Sequence, residues 1–416
     1  MRRDAIDAPR LVIREGNGSA DPTPPTAPDA PLGVLAQTAP HSQSLGLYIH
    51  VPFCTKRCYY CSFNTAPLEG AAEMRRYVEA VRREISLLAG ASWAAGVGIE
   101  TIFLGGGTPS LLAADDLAVL LDDVRGAFAL APGAEITVEC NPESVDRAKL
   151  AAYRSVGVNR ISLGVQSLDD GILPRLGRLH DALGARAAFE SAREAGCDNV
   201  SVDLMYGLPE QDPAKWSHSV ERVLRWEPEH LSAYGLTLDA GSLWAVTGVE
   251  GLPAEGAVVE QYWTLARAAA ERGFEHYEIS NYARPGFRSR HNQIYWRAAE
   301  YLAVGPGACG FVGDLRYANV KAVPRYCATL ESGALPIDTS ERLTPRQRLG
   351  ERLILGLRLV DGVPRTWLDA RVEGDAALAR TLATWRETGL LAERDERVAL
   401  TEAGFLVSDA FFVDLV

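Results

Sequence analysis

Apolar residues in this chain fall into short runs separated by stretches of helical spacing. Leu45 to Phe53 is a run rich in β-branched and aromatic residues that Pro52 brings to an end, which predicts a strand. Met74, Tyr77, Val78, Val81, Ile85 and Leu88 recur at helical spacing, and Ile99 to Leu104 is a second strand-like run closed by Gly105-Gly106-Gly107-Thr108-Pro109. Leu117, Leu120, Leu121, Val124 and Phe128 mark a helix, and Ile136 to Glu139 is a strand stopped by Asn141-Pro142. The alternation continues with helix 146–157, strand 160–165, a helix near 181–196, strand 200–204, helix 213–227 and strand 230–236. Six β-then-α units in a row predict an all-parallel sheet with right-handed crossovers. Six are too few to close an eight-stranded barrel, so the expected fold is α/β, a partial (β/α)6 barrel.

The remainder is less regular. A helix at 255–272 leads into Phe274 to Tyr282, read as one strand, then a turn at Pro285-Gly286, the segment His291-Asn292-Gln293-Ile294-Tyr295-Trp296, and a second glycine-rich loop at Gly305 to Gly310. From about residue 341, helices at 344–358, 364–370 and 375–389 precede a hairpin ending near Leu400, a mostly helical, winged-helix-like arrangement. The expected organisation is a tail over 1–44, a core over 45–340 and a C-terminal domain over 341–416. Five prolines in the thirteen residues from Ser19 to Pro31 leave the tail too little apolar surface to offset its ordering entropy, so it is expected to be disordered.

Charge narrows the function. A net charge of -12 argues against a general nucleic-acid binder, and residues 341–416 hold 13 acidic against 11 basic residues, the wrong balance for a DNA reader. A cover or docking surface is the better reading of that domain. No run of 18 apolar residues is present and the N-terminus lacks the apolar core of a signal peptide, so no membrane span and a cytoplasmic location are expected.

The candidate chemistry starts at Cys54, Cys58 and Cys61, spaced C-x3-C-x2-C on the loop that leaves the first strand. Three thiolates on one short loop would hold three irons of a [4Fe-4S] cubane and leave the fourth open to a ligand. A zinc site would want a second cysteine or histidine pair, whereas Cys140, Cys197, Cys309 and Cys327 are singletons. Seven cysteines, an odd number, do not suit a disulfide framework. Polar residues recur where the other strands end: the triple glycine, Glu139, Gln166 and Asp203. One such carboxylate would read as a helix cap, but several around a single barrel rim beside a cysteine loop read as a site. Glycines let backbone groups approach a ligand closely, Glu139 and Asp203 suit an ammonium or ribose hydroxyls, and Arg178 suits a carboxylate.

The cysteine spacing and its strand context resemble the radical S-adenosylmethionine (SAM) superfamily. Together with the stretches YIHVPFC, GGGTPS, NPES, GVQS and DLMYGLPEQ, they are similar to the group containing oxygen-independent coproporphyrinogen III oxidase and the HemW heme chaperones, from about residue 45 to the C-terminus. The resemblance implies that Cys54, Cys58 and Cys61 hold the cluster and that Tyr48, Gly106 and Glu139 contact the cluster-bound SAM. It further implies that Tyr60, Gly107, Thr108, Gln166, Arg178 and Asp203 match positions that hold a second SAM in the oxidase. Two features point to the chaperone branch. Phe63 stands where the oxidase has a further cysteine, and the H-N-x-x-Y-W segment, linked to heme binding, is intact at His291, Tyr295 and Trp296. The implied partners are heme and heme-acceptor proteins, including membrane-bound acceptors reached by peripheral association. One position departs from the family: Cys309 replaces a histidine in Gly305-Pro306-Gly307-Ala308-Cys309-Gly310, and a thiolate is an alternative heme ligand. The oxidase remains the alternative on the retained second-SAM positions; radical SAM modification of RNA is opposed by the charge.

Overall fold

The structure, a computed structural model, describes residues 33–415. These residues form two compact units, one of residues 33–295 and 299–342, the other of residues 296–298 and 343–415. The first unit is organised by six consecutive parallel strands: β1 Ser44–Val51, β2 Gly98–Gly106, β3 Ala129–Cys140, β4 Arg160–Gln166, β5 Val200–Tyr206 and β6 His230–Gly235. Their order in the sheet follows their order in the chain, the arrangement of a singly wound barrel wall.

The register explains the layering, because residues paired across neighbouring strands share a face. Leu104 pairs with Val138, Val138 with Ile161 and Ile161 with Val200, and this face packs on the helices, with Leu47, Ile49 and Ile102 in the same core as Tyr77, Leu120 and Phe189. The other face runs Tyr48, Phe103, Thr137, Arg160 and, one step toward the strand ends, Glu139, Ser162 and Asp203. The barrel wall is therefore apolar toward its helices and polar toward its interior. Three of the helices that follow these strands start on aspartate caps: Asp146, Asp181 and Asp212 accept from the backbone N–H three residues on at 2.7–2.8 Å.

Both flanks of the sheet extend beyond the six strands. On one side β7 Glu275–Glu278 and β8 Asn281–Ala283 form an antiparallel edge; on the other, β9 Tyr301–Val304 pairs parallel with β1, followed by antiparallel β10 Cys309–Val312, β11 Leu315–Asn319 and β12 Ile337–Arg342, for a sheet of twelve strands among the described residues. The expected single strand 274–282 is thus two strands. Glu278 breaks it: its carboxylate accepts from Ser280 N at 3.0 Å and from the Asn281 amide, folding the chain back. Ordered packing also begins ahead of the expected boundary at 45. Gly33–Gln37 is a 3-10 helix whose Leu35 is buried and accepts a hydrogen bond from Trp93 Nε1 at 3.0 Å, while the rest of the expected tail, residues 1–32, lies outside the described residues.

The second unit holds helices Pro345–Gly356, Arg365–Val372 and Ala376–Glu387, with Leu353, Leu368 and Leu382 buried. A three-stranded antiparallel sheet joins Val363–Pro364 to the expected hairpin, Leu391–Arg394 and Arg397–Leu400, and two further helices, Glu402–Leu406 and Ser408–Leu415, close the unit. Thr344 and Gln347 make a reciprocal capping box at its first helix.

Candidate cluster and SAM site at the barrel mouth

The cysteine loop is pinned at its base. Phe53–Cys54 pairs parallel with Ala66–Pro67, Ala66 N donates to Pro52 O at 2.8 Å and Leu68 N to Cys54 O at 3.2 Å. Between these ties the loop carries Cys54, Cys58 and Cys61, none in a disulfide and all half-buried. Gly177 follows the short helix Leu173–Leu176 at φ 83°, and Tyr59 N donates to Leu176 O at 3.1 Å, so the chain after β4 braces the loop from one side.

The glycines after β2 bring backbone against backbone. Gly107 N donates to Val51 O and Thr108 N to Phe53 O, both at 2.7 Å. A Cβ on Gly107 would stand 2.6 Å from Phe53 O, and one on Gly106, at φ 111°, would meet the His50 ring at 2.5 Å, so neither position admits a side chain. Gln166 is the counterpart on β4: a non-glycine residue at φ 66°, where the pairing with β5 shifts register. That conformation costs about 1 kcal/mol and places Gln166 in the wall of the cavity.

This cavity, about 360 Å³, is lined by all three cysteines and by Tyr60, Gly106, Gly107, Thr108, Glu139, Gln166, Arg178 and Asp203. Residues expected at a SAM site from five separate strand ends thus come together in one place. Tyr48 lies in an adjoining chamber of about 300 Å³, which shares Glu139, Ser162, Asp203 and Tyr234 with the first. Thr108 Oγ1 donates to Cys54 Sγ at 3.5 Å and Arg178 Nη1 to Cys58 Sγ at 3.7 Å. Burial pushes the Cys54 and Cys61 thiols up, as it does any group whose charged form loses water.

The donor set fits a cluster better than one ion. Among the described residues no three His, Cys, Asp or Glu side chains gather tightly enough to hold a single metal. A zinc ion at about 2.3 Å from each sulfur would draw the thiols together, whereas a cubane spreads its three cysteines over three irons. The buried Arg178 Nε also lacks a hydrogen-bond partner, although Nη2 of the same group donates to Asn141 Oδ1 at 2.8 Å and to Gly164 O. A buried donor without a partner is costly, and a bound group in the cavity would offset that cost.

Carboxylates dominate the inner wall. Glu139 Oε2 accepts from Gly106 N at 3.1 Å, and burial, then Asp203, raise its pKa to about 7. Asp203 is raised by burial too, against hydrogen bonds from Ser162 Oγ at 3.0 Å and Ser201 Oγ at 3.2 Å. Arg160, only 2% exposed, faces both from the adjoining chamber and lowers each, while its own Nε has no hydrogen-bond partner. Sequence reasoning placed Arg160 in a strand but missed it as a site residue, along with Asn141, which donates to Thr108 Oγ1 at 3.2 Å and accepts from Arg178. The available signal for Arg160 was a charged residue at an inward strand position.

The H-N-x-x-Y-W segment, where heme binding is expected, forms a short helix. His291 lies on helix Arg290–Trp296 with no exposed surface, and both ring nitrogens are engaged, Nδ1 with Thr101 Oγ1 at 2.7 Å and Nε2 with Tyr295 OH at 2.8 Å. Its ring stacks on Phe103 at 5.1 Å, its N–H donates to Glu135 at 3.0 Å, and burial, with Arg160, lowers its pKa to about 3. Iron ligation would break one of these bonds and demand access to a sealed ring. Tyr295 and Asn292 line the chamber floor, and Trp296 is half-buried under the Arg358 guanidinium, 5.6 Å away. Cys309 is exposed at the start of β10, with its Sγ 3.8 Å from Gly307 O, and lines neither cavity.

Known proteins are similar to this chain in sequence and in fold. The Radical SAM superfamily profile matches residues 48–223 and the HemN C-terminal domain profile matches residues 343–407. The chain is 37% identical to the heme chaperone HemW of Mycobacterium tuberculosis, covering 92% of this chain and 97% of that one. It is 38% identical to that of Synechocystis (82% and 84%) and 32% identical to that of Bacillus subtilis (88% and 97%). Among solved structures, the radical SAM coproporphyrinogen III oxidase HemN from Escherichia coli superposes with a TM-score of 0.80 at 23% identity, over 91% of this chain and 92% of that one, which shows a shared fold. No helix among the described residues is long and apolar enough to cross a membrane. With its cysteine loop on a partial parallel barrel and its C-terminal helical unit, the chain belongs to the radical SAM superfamily and, within it, to the HemW heme chaperone family.

Proposed function

We propose that this protein is a heme chaperone of the HemW type: it carries a [4Fe-4S] cluster on Cys54, Cys58 and Cys61 with exchangeable SAM, binds heme, and passes it to acceptor proteins. The observation that carries the reading against oxidase activity is Phe63. It stands two residues after the third cysteine, is 62% exposed and lines the cluster cavity, so that position offers apolar surface and no thiol. In this reading Tyr48, Gly106 and Glu139 hold the cluster-bound SAM, the ionised Glu139 balancing its cationic end. One-electron chemistry on SAM is what such a cluster supplies when bound. An oxygen-sensitive cluster suits a cytoplasmic protein, and acceptors at a membrane would be met from its surface.

The oxidase reading has one observation in its favour: Tyr60, Gly107, Thr108, Gln166, Arg178 and Asp203, the second-SAM positions, all wall the same cavity. Anaerobic reconstitution separates the two readings when heme uptake and conversion of coproporphyrinogen III are scored on one preparation. The chaperone takes up about one heme per chain and forms no protoporphyrinogen IX. Sustained turnover without heme uptake would move the chain to the oxidase branch.

A further inference from the structure

Among the residues lining the chamber next to the cluster cavity, Arg160 is the one cation. It lies on β4 opposite Thr137 of β3, on the polar face of the sheet, and is 2% exposed. Its guanidinium donates no hydrogen bond and comes within 4 Å of no carboxylate among the described residues. The other buried arginine among them, Arg371 of the second unit, donates to Leu415 O at 3.1 Å and pairs with Asp375 at 3.3 Å. A buried guanidinium without a counter-ion is costly, because the charge has left water and gained no partner in return.

The chamber itself does not meet that need. Its own carboxylates are engaged elsewhere, Glu139 by Gly106 N and Asp203 by the Ser162 and Ser201 hydroxyls. The Tyr48 hydroxyl is spent on His50 Nδ1 at 2.9 Å and that of Tyr295 on His291 Nε2 at 2.8 Å. Asn292, from helix Arg290–Trp296, also lines the chamber, and its side-chain amide makes no hydrogen bond among the described residues. Burial, then Arg160, holds the pKa of both His230 and His291 down, so neither adds a second positive charge near neutrality.

We propose that Arg160 is an anion receptor that takes a carboxylate of the ligand this protein carries: for heme, one of its propionates. The assignment rests on the chaperone reading and gives one edge of the heme a place in the fold. A carboxylate matches one guanidinium charge for charge and accepts its paired N–H groups side by side, and the Asn292 amide is a further donor on the same wall. A phosphate dianion would leave a second charge uncompensated between Glu139 and Asp203. Burial raises the pKa of both those groups, so either can hold a proton when a third carboxylate arrives. The chamber of about 300 Å³ has room for a short flexible arm, and it adjoins the cluster cavity through Glu139, Ser162, Asp203 and Tyr234.

The test compares hemin with its dimethyl ester, in the same detergent, on the anaerobically reconstituted full chain, with iron content measured on every variant. Wild type binds hemin about tenfold more tightly than the ester, the worth of one charge-assisted contact. Arg160→Gln binds hemin no better than the ester, binds the ester as wild type does, and keeps its cluster iron. Arg160→Lys, which retains the charge but loses the paired donors, falls between the two. Arg147→Gln, at the exposed start of helix Arg147–Ser155, keeps the wild-type preference. The proposal fails if wild type binds the two forms alike, a result that needs no variant. It fails if Arg160→Gln still prefers hemin to the same degree, or weakens both forms equally, which would make Arg160 a structural brace. Loss of the preference in Arg147→Gln as well would also overturn it, since general surface charge would then be reading the propionates. Wild-type protein that binds neither form overturns the chaperone reading itself, whereas a heme-binding wild type without the preference overturns only the receptor.

Discussion

The floor and the mouth of the barrel are built from the same strands and both concentrate polar side chains, yet their hydrogen-bond accounts differ. On the floor the histidines and Glu135 are fully engaged, although Arg160 Nε and Thr137 Oγ1 lack partners. His291 spends both ring nitrogens on Thr101 and Tyr295, His230 spends its pair on Ser201 and Tyr277 at 2.8 Å each, and Glu135 accepts from the N–H groups of Arg290 and His291. At the mouth capacity is left over: three thiols outside any disulfide, an Arg178 Nε without a partner, and Lys56 and Arg57 without carboxylates. Saturated polar groups specify a scaffold and unsaturated ones mark where a ligand is expected. By that criterion the H-N-x-x-Y-W segment braces the floor beneath the site.

The largest test of this contrast is loss of the cluster. Replacing Cys54, Cys58 and Cys61 together by Ala should abolish the iron and sulfide taken up on reconstitution, whereas Cys140→Ala and Cys327→Ala should retain them. Four irons in the triple variant would contradict the assignment.

Glu139 gives the next largest effect. Its pKa of about 7 means that it becomes ionised as pH rises through neutrality. The anion is the form that attracts the cationic end of SAM, so SAM affinity of the reconstituted protein should rise as pH increases through about 7. The same raised pKa has the opposite sign for stability without ligand: burial favours the proton, so stability is greatest below the ordinary carboxylate pKa and falls as pH rises through about 7. Glu139→Gln should lower SAM affinity roughly tenfold at pH 8, the loss of one charge-assisted contact, and flatten its pH dependence. Unchanged affinity with the pH dependence intact would remove Glu139 from the site.

The floor should respond in stability. His291→Ala leaves a void and strands the Thr101 and Tyr295 hydroxyls, a cost of about 2–4 kcal/mol to be read as a lower denaturation midpoint. An unchanged midpoint would contradict the bracing role given to His291.

Much of the barrel was legible because each of its strands is a compact apolar run next to a capped helix, as at Asp146, Asp181 and Asp212. The cysteines were legible because their spacing lies within eight residues. The edge strands β9 to β12 were not: they are four to six residues long, and the glycine loop at 305–307 interrupts the first pair. Their pairing is set by β1 and by tertiary ties such as the Glu84 carboxylate, which accepts from Gly305 N at 2.9 Å and Asn319 Nδ2 at 2.6 Å. Asn141 and Arg178 were missed as partners because 37 residues separate them and no local pattern joins them. The surroundings of His291 were illegible for a related reason: residue type shows that an imidazole is present, but only the folded chain shows that Thr101, far away in sequence, hydrogen-bonds to it.

The most direct measurement of the division between mouth and floor is hydrogen–deuterium exchange on the reconstituted protein with and without SAM. The account predicts that SAM protects residues 54–63 and 105–109 and leaves helix Arg290–Trp296 unchanged. SAM-induced protection confined to 290–296, with the mouth unaltered, would contradict it.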